Sequence, residues 1–177
     1  QDSQPLEWEF EFWGFAALGG IAQILAMWFL LRSFQLRSFA VGTAYSKTET
    51  FQAAVFTIVL LGEAVSGAAF VAIAISFVGV CFLSLAKMTV GVREFLTSWT
   101  NKGALMGLAN GAMLGLSAVS YRGAALSLGG DSAILAAAAT LVVALSIQTV
   151  VMTVYLKIFE VGELSRVWQN RGKGTLV

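Results

Sequence analysis

Phe39 to Glu63 reads FAVGTAYSKTETFQAAVFTIVLLGE, an apolar run that carries Tyr45, Lys47, Glu49 and Gln52 in its first half. As one helix rising about 1.5 Å per residue it is roughly 37 Å long, against a hydrocarbon core of about 30 Å, so Glu49 falls near mid-membrane. Holding a charge at that depth costs from about 2.5 to above 10 kcal/mol, so Glu49 must face protein, a partner or water. Steps of i+4, i+3 and i+4 stack Tyr45, Glu49, Gln52 and Phe56 on one face. Lys47 points about 200° away from Glu49, so the two charges are not a same-face pair within this helix. Tyr45, Lys47, Glu49 and Gln52 are candidate substrate-binding residues lining a polar cavity, joined by the central amide Gln148 of a later span. Two competing readings stand beside this one. Glu49 can be a structural carboxylate, protonated or paired with Lys47 of a neighbouring copy, and Lys47, about 12 Å from the start of the span, can snorkel to the headgroups.

The composition sets the class. Of 177 residues 58% are hydrophobic, 12% are charged and one is proline, with a mean hydropathy of +0.80. These values lie outside the range of soluble domains and indicate an all-α membrane protein. A net charge of +1 gives no basic surplus for nucleic acid. Zero histidines and the lone Cys81 remove zinc sites, Cys/His and Ser/His nucleophile pairs and any intrachain disulfide. No catalytic group, metal or cofactor is expected. The chain opens on Gln1, and its first ten residues are acidic and aromatic where a signal peptide is basic and then apolar. The expectation is a piece of a longer chain, or one from which something was removed.

Five stretches are apolar and long enough to span: Phe10 to Leu31, Phe39 to Glu63, Gly67 to Ala86, Gly103 to Leu128 and Ser132 to Phe159. Residues 1–86 hold the first three, 87–102 (KMTVGVREFLTSWTNK) reads as an amphipathic interfacial connection, and 103–177 holds the last two and a tail. Arg32, Arg37, Lys87, Arg93, Lys102, Lys157, Arg166, Arg171 and Lys173 then fall on one side, nine of the eleven basic residues. The positive-inside rule makes that side cytoplasmic and the N-terminus external. Lys47 and Arg122 are left over, the latter about 9 Å from the outer end of its span and able to reach the headgroups or a cavity. Trp8, Phe10, Phe12 and Trp13 read as an outer aromatic anchor, and Trp28, Trp99 and Trp168 as cytoplasmic interfacial residues.

Gly103, Gly107, Gly111 and Gly115 repeat every four residues, as do Ala68, Ala72 and Ser76 before Gly79. Such ridges let helix backbones touch, which serves tight packing or permits sliding between conformations. Gln23, Gln148, Asn110 and Ser117 read as interhelical hydrogen-bond formers or ligand contacts. Glu63 and Asp131 lie at span ends, where Asp131 can cap the last span.

Thr48 to Leu85, TETFQAAVFTIVLLGEAVSGAAFVAIAISFVGVCFLSL, resembles the end of a repeat in the EamA-type drug/metabolite transporters. The similarity lies in a helix closing on the pair Gly62-Glu63, a short turn, and a small-residue helix ending in Gly79-Val80. The first span with Leu30 to Arg37 resembles the preceding helix of that repeat, and the last two spans resemble the start of the second. The resemblance implies helices three to seven of a ten-helix, two-repeat fold in the inner membrane of a bacterium. Its implied activity is alternating-access transport of a small metabolite or drug-like molecule, with a proton as candidate coupling ion and the remaining helices or a homodimer partner completing the unit. Two features depart from the family: Lys47-Thr48-Glu49-Thr50 stands where many members have a proline, and the charge pattern puts the start of the first span outside. A structural or oligomeric helix bundle is the rival class, and a membrane-embedded enzyme, with no histidine or paired carboxylates, the third.

Overall fold

The computed structural model describes residues 8–36, 39–64, 66–86, 101–129, 132–160 and 162–170. Among the described residues every regular element is an α-helix: α1 (Phe10–Phe34), α2 (Phe39–Ser46), α3 (Glu49–Leu61), α4 (Gly67–Ala86), α5 (Lys102–Ser127), α6 (Ala133–Phe159) and α7 (Glu163–Asn170). Three of them, α1, α5 and α6, are long and apolar enough to cross a membrane. Their outward residues, such as Ile21, Leu25, Val142 and Val150, are exposed and apolar, as a lipid-facing surface requires.

Local chemistry sets the ends. α1 runs to Phe34, past the expected Leu31, because Arg32 in its last turn complements the helix dipole and Arg32 Nη1 donates to Gln35 Oε1 at 2.8 Å. The Asn101 side chain accepts from Gly103 N at the start of α5. Ser132, not Asp131, is the N-cap of α6, its Oγ accepting from Leu135 N at 3.3 Å; Asp131 lies outside the described residues. So do Arg37, Lys87, Arg93, Trp99, Arg171 and Lys173, with most of the 87–102 connection. The tail contains a helix that the sequence reading did not place, α7, with Leu164, Val167 and Trp168 at i, i+3 and i+4.

The largest departure is in the stretch read as one span. It is two helices, α2 and α3, joined by a turn at Lys47 and Thr48. There the backbone switches to i−3 bonds, Lys47 N to Ala44 O and Thr48 N to Tyr45 O, both 3.1 Å. Two hydroxyls stabilise the switch by donating to carbonyls three residues back: Ser46 Oγ to Thr43 O and Thr48 Oγ1 to Tyr45 O, each 2.7 Å. This competition by Ser and Thr for backbone carbonyls bends or interrupts helices.

α5 is the axis of the bundle, touched by α1, α2, α3 and α6. α1 runs antiparallel to it: Phe12 packs with Ala124 and Leu128 at one end, Asn110 Nδ2 donates to Ala26 O at 2.7 Å in the middle, and Arg32 and Lys102 line one cleft at the other end. Phe12, expected among the anchoring aromatics, is wholly buried in the cluster with Ala16 and Ala136, while Trp8, Phe10 and Trp13 are exposed. α2 and α3 run parallel to α5 along its glycine ridge. A Cβ on Gly107 would lie 2.8 Å from Gly42 C, and one on Gly111 would lie 2.8 Å from Ser46 O. One on Gly115 would lie 3.0 Å from Ala53 N. The ridge thus brings backbone against backbone. The second ridge behaves differently: Ala68, Ala72, Ser76 and Gly79 on α4 are exposed, and where α4 meets α3 the rings of Phe70 and Phe51 are 6.4 Å apart.

Candidate functional site at the helix interruption

The interruption gathers the polar residues of the 45–52 segment. Thr48 Oγ1 donates to Tyr45 O and accepts from Gln52 Nε2 at 2.7 Å, so one hydroxyl ties the end of α2 to the first turn of α3. Gln52 Nε2 also reaches Leu108 O of α5 at 3.4 Å. Gln52 Oε1 is buried and has no donor among the described residues. A buried acceptor without a donor costs about 1 to 3 kcal/mol, and most buried polar atoms avoid it. It is an outstanding demand for a hydrogen-bond donor beside the interruption.

Glu49 is the first residue of α3 and half-buried, where a carboxylate complements the positive end of the helix dipole by about 0.3 to 1 kcal/mol. Its backbone N and O lie against Gly111 and Gly115. Neither Glu49 nor Lys47 has an ion-pair partner among the described residues, and Lys47 is exposed while Tyr45 is half-buried. The continuous-helix face that joined Tyr45, Glu49 and Gln52 is therefore replaced by a turn, with Glu49 and Gln52 beside α5.

Gln148 stands elsewhere. On α6, its Nε2 donates to Gln23 Oε1 at 2.8 Å and to the Tyr121 hydroxyl at 2.9 Å, and it approaches Gly20 O at 3.4 Å. Tyr121 in turn donates to Gln23 Oε1 at 2.7 Å. The three side chains tie α1, α5 and α6 together on a face of α5 distinct from its glycine ridge. Small residues make the approach possible, since a Cβ on Gly19 would fall 2.6 Å from the Tyr121 ring. Tyr121 was not singled out from sequence; its signal was a lone phenol within an apolar span, one residue before Arg122.

A third polar contact closes the end of α3. Gly62 caps the helix with φ +64°, a left-handed conformation that suits glycine. Glu63 then pairs with Arg122, its two carboxylate oxygens 2.8 and 3.0 Å from Nη2. Arg122, the unassigned basic residue at the end of the bundle opposite Arg32 and Lys102, is thereby matched by a carboxylate. Gly62-Glu63 acquires a physical content: one residue stops the helix and the next neutralises a cation on the neighbour. Comparison of the chain with protein-family models, curated proteins and solved structures finds no match.

Proposed function

We propose that this chain is part of a secondary transporter that moves a small metabolite or drug-like molecule, and that the interruption between α2 and α3 is where solute or a coupling proton is handled. One observation carries the reading. A helix stops and restarts at Lys47 and Thr48, leaving Glu49 at a new helix start and the buried Gln52 Oε1 without a donor among the described residues. Interrupted helices in membrane transporters serve this purpose, since freed backbone and helix ends meet solutes and ions near mid-membrane. Non-helical backbone at that depth is tolerated where it is buried in protein or lines a water-filled cavity. The resemblance of Thr48 to Leu85 to EamA-type transporters supports the same reading, with five spans belonging to a two-repeat fold in which α2 and α3 form one broken span.

A structural bundle is the second reading, favoured for part of the molecule by Gln23, Tyr121 and Gln148, which bond one another across three helices. Glu49→Gln separates the two. It keeps shape and hydrogen-bonding capacity while removing the ionisable proton. In full-length protein, uptake of a radiolabelled metabolite panel into proteoliposomes should fall at least about tenfold, equivalent to roughly 1.4 kcal/mol in one step, with stability lowered by no more than the roughly 0.3 to 1 kcal/mol of the lost helix-dipole interaction. Lowered stability with transport per folded molecule preserved assigns Glu49 to the scaffold.

A further inference from the structure

The cleft between the end of α1 and the start of α5 is a cavity of about 280 Å³ lined by Arg32, Gln35, Leu36, Lys102 and Met106. Its α5 residues, Lys102 and Met106, precede Leu108 and Gly111, where the helix interruption meets α5, and the transport reading does not use it. Its wall is almost wholly apolar, built by Leu36, Met106 and the carbon stems that surround them, and two of its lining residues, Arg32 and Lys102, are exposed cations. Neither cation has a carboxylate within salt-bridge distance among the described residues. Arg32 is held in place, its guanidinium carbon 5.9 Å from the centre of the Trp28 ring and its Nη1 on Gln35 Oε1. That leaves the remaining donors of its planar fork for an anion.

The geometry points to a site for the phosphate of an anionic phospholipid. α1 and α5 are both long and apolar enough to cross the bilayer, and Arg32 and Lys102 sit at the ends where these helices leave the apolar layer. Trp28, exposed one turn before Arg32, marks the same level, since tryptophan favours the interface. A phosphodiester held by these exposed cations beside the cleft places its glycerol and upper acyl carbons against Leu36 and Met106. Inorganic phosphate has no group to place there. The volume lies near the lower end of small-molecule pockets, about 300 Å³, which suits one headgroup rather than a whole lipid. Basic pockets between membrane helices on the cytoplasmic side bind anionic headgroups for the same reasons.

The test is native mass spectrometry of the full chain in detergent with equimolar palmitoyl-oleoyl phosphatidylglycerol and phosphatidylcholine. The wild type should retain the anionic lipid preferentially. At roughly fivefold per cation near a charged headgroup, Arg32→Gln with Lys102→Gln should weaken the preference about 25-fold. Lys102→Gln alone changes only an exposed side chain, so it tests the site even if the double variant folds poorly, and should cost about fivefold. Lys157→Gln removes an equal charge outside the cleft and should leave the preference intact. Millimolar inorganic phosphate should not displace the lipid. Equal retention of the two lipids, an unchanged preference in Lys102→Gln, an equal loss in Lys157→Gln, or full displacement by inorganic phosphate overturns the proposal.

Discussion

Gly107 has no room for a side chain, because the space a Cβ would take belongs to the backbone of Gly42, with Cα 3.0 Å away. Gly14, on the exposed side of α1, has nothing within 4 Å of the same added atom. The contrast isolates packing from helix propensity, since alanine favours a helix interior over glycine by about 0.5 to 1 kcal/mol in both places. Gly107→Ala should therefore lower stability by about 1 to 3 kcal/mol, the usual cost of overpacking, while Gly14→Ala should be neutral or stabilising. Unfolding titrated with sodium dodecyl sulfate in mixed micelles measures both, and equal effects would deny that α2 and α5 touch backbone to backbone. At this scale the sequence was partly legible. The four-residue spacing announced that α5 would be closely approached, but the partner is the α2–α3 segment, and the similar ridge on α4 is exposed. Spacing tells that a helix can be approached; which neighbour does so depends on the arrangement of the whole bundle. Glu63 and Arg122 teach the same lesson, as the charge pattern put both at one end but could not pair them.

The interruption between α2 and α3 is the element on which the account depends. Length and hydropathy made 39–63 one span because neither measure registers Ser46, Lys47 and Thr48 as a break. The signal was present in different form: two hydroxyl residues flanking a lysine, each able to bond a carbonyl three residues back. Thr48 does the most, as acceptor for Gln52 and donor to Tyr45. Thr48→Val keeps the shape and removes both contacts, leaving Gln52 Nε2 with the long bond to Leu108 O. Loss of an acceptor for a part-buried amide predicts about 1 to 3 kcal/mol of destabilisation, with Thr48→Ser close to wild type. An unchanged unfolding midpoint in Thr48→Val would show that the turn is held by the α5 ridge alone.

For the whole molecule, the described charges sort themselves as the sequence suggested. Arg32 and Lys102 share one end, and the opposite end holds the buried Phe12 cluster and an arginine matched by Glu63. The apolar, all-helical class was legible because it is a sum over many residues, and such sums tolerate local error. The candidate site was read as a segment, Tyr45 to Gln52, whose helix break the sequence reading missed, and Gln148 was joined to it by depth alone although it bonds Gln23 and Tyr121. The central claim is that the α2–α3 interruption meets water within the membrane. Single cysteines placed in turn from Thr43 to Ala53, in a Cys81→Ser background in proteoliposomes, can be challenged with a membrane-impermeant thiosulfonate. Modification should concentrate at Lys47, Glu49 and Gln52, with protection at Ala44 and Ser46, which are buried. Uniform protection across the segment, with exposed controls at Gln35 and Ser66 labelled, would contradict it and leave the interruption a packing feature of a closed bundle.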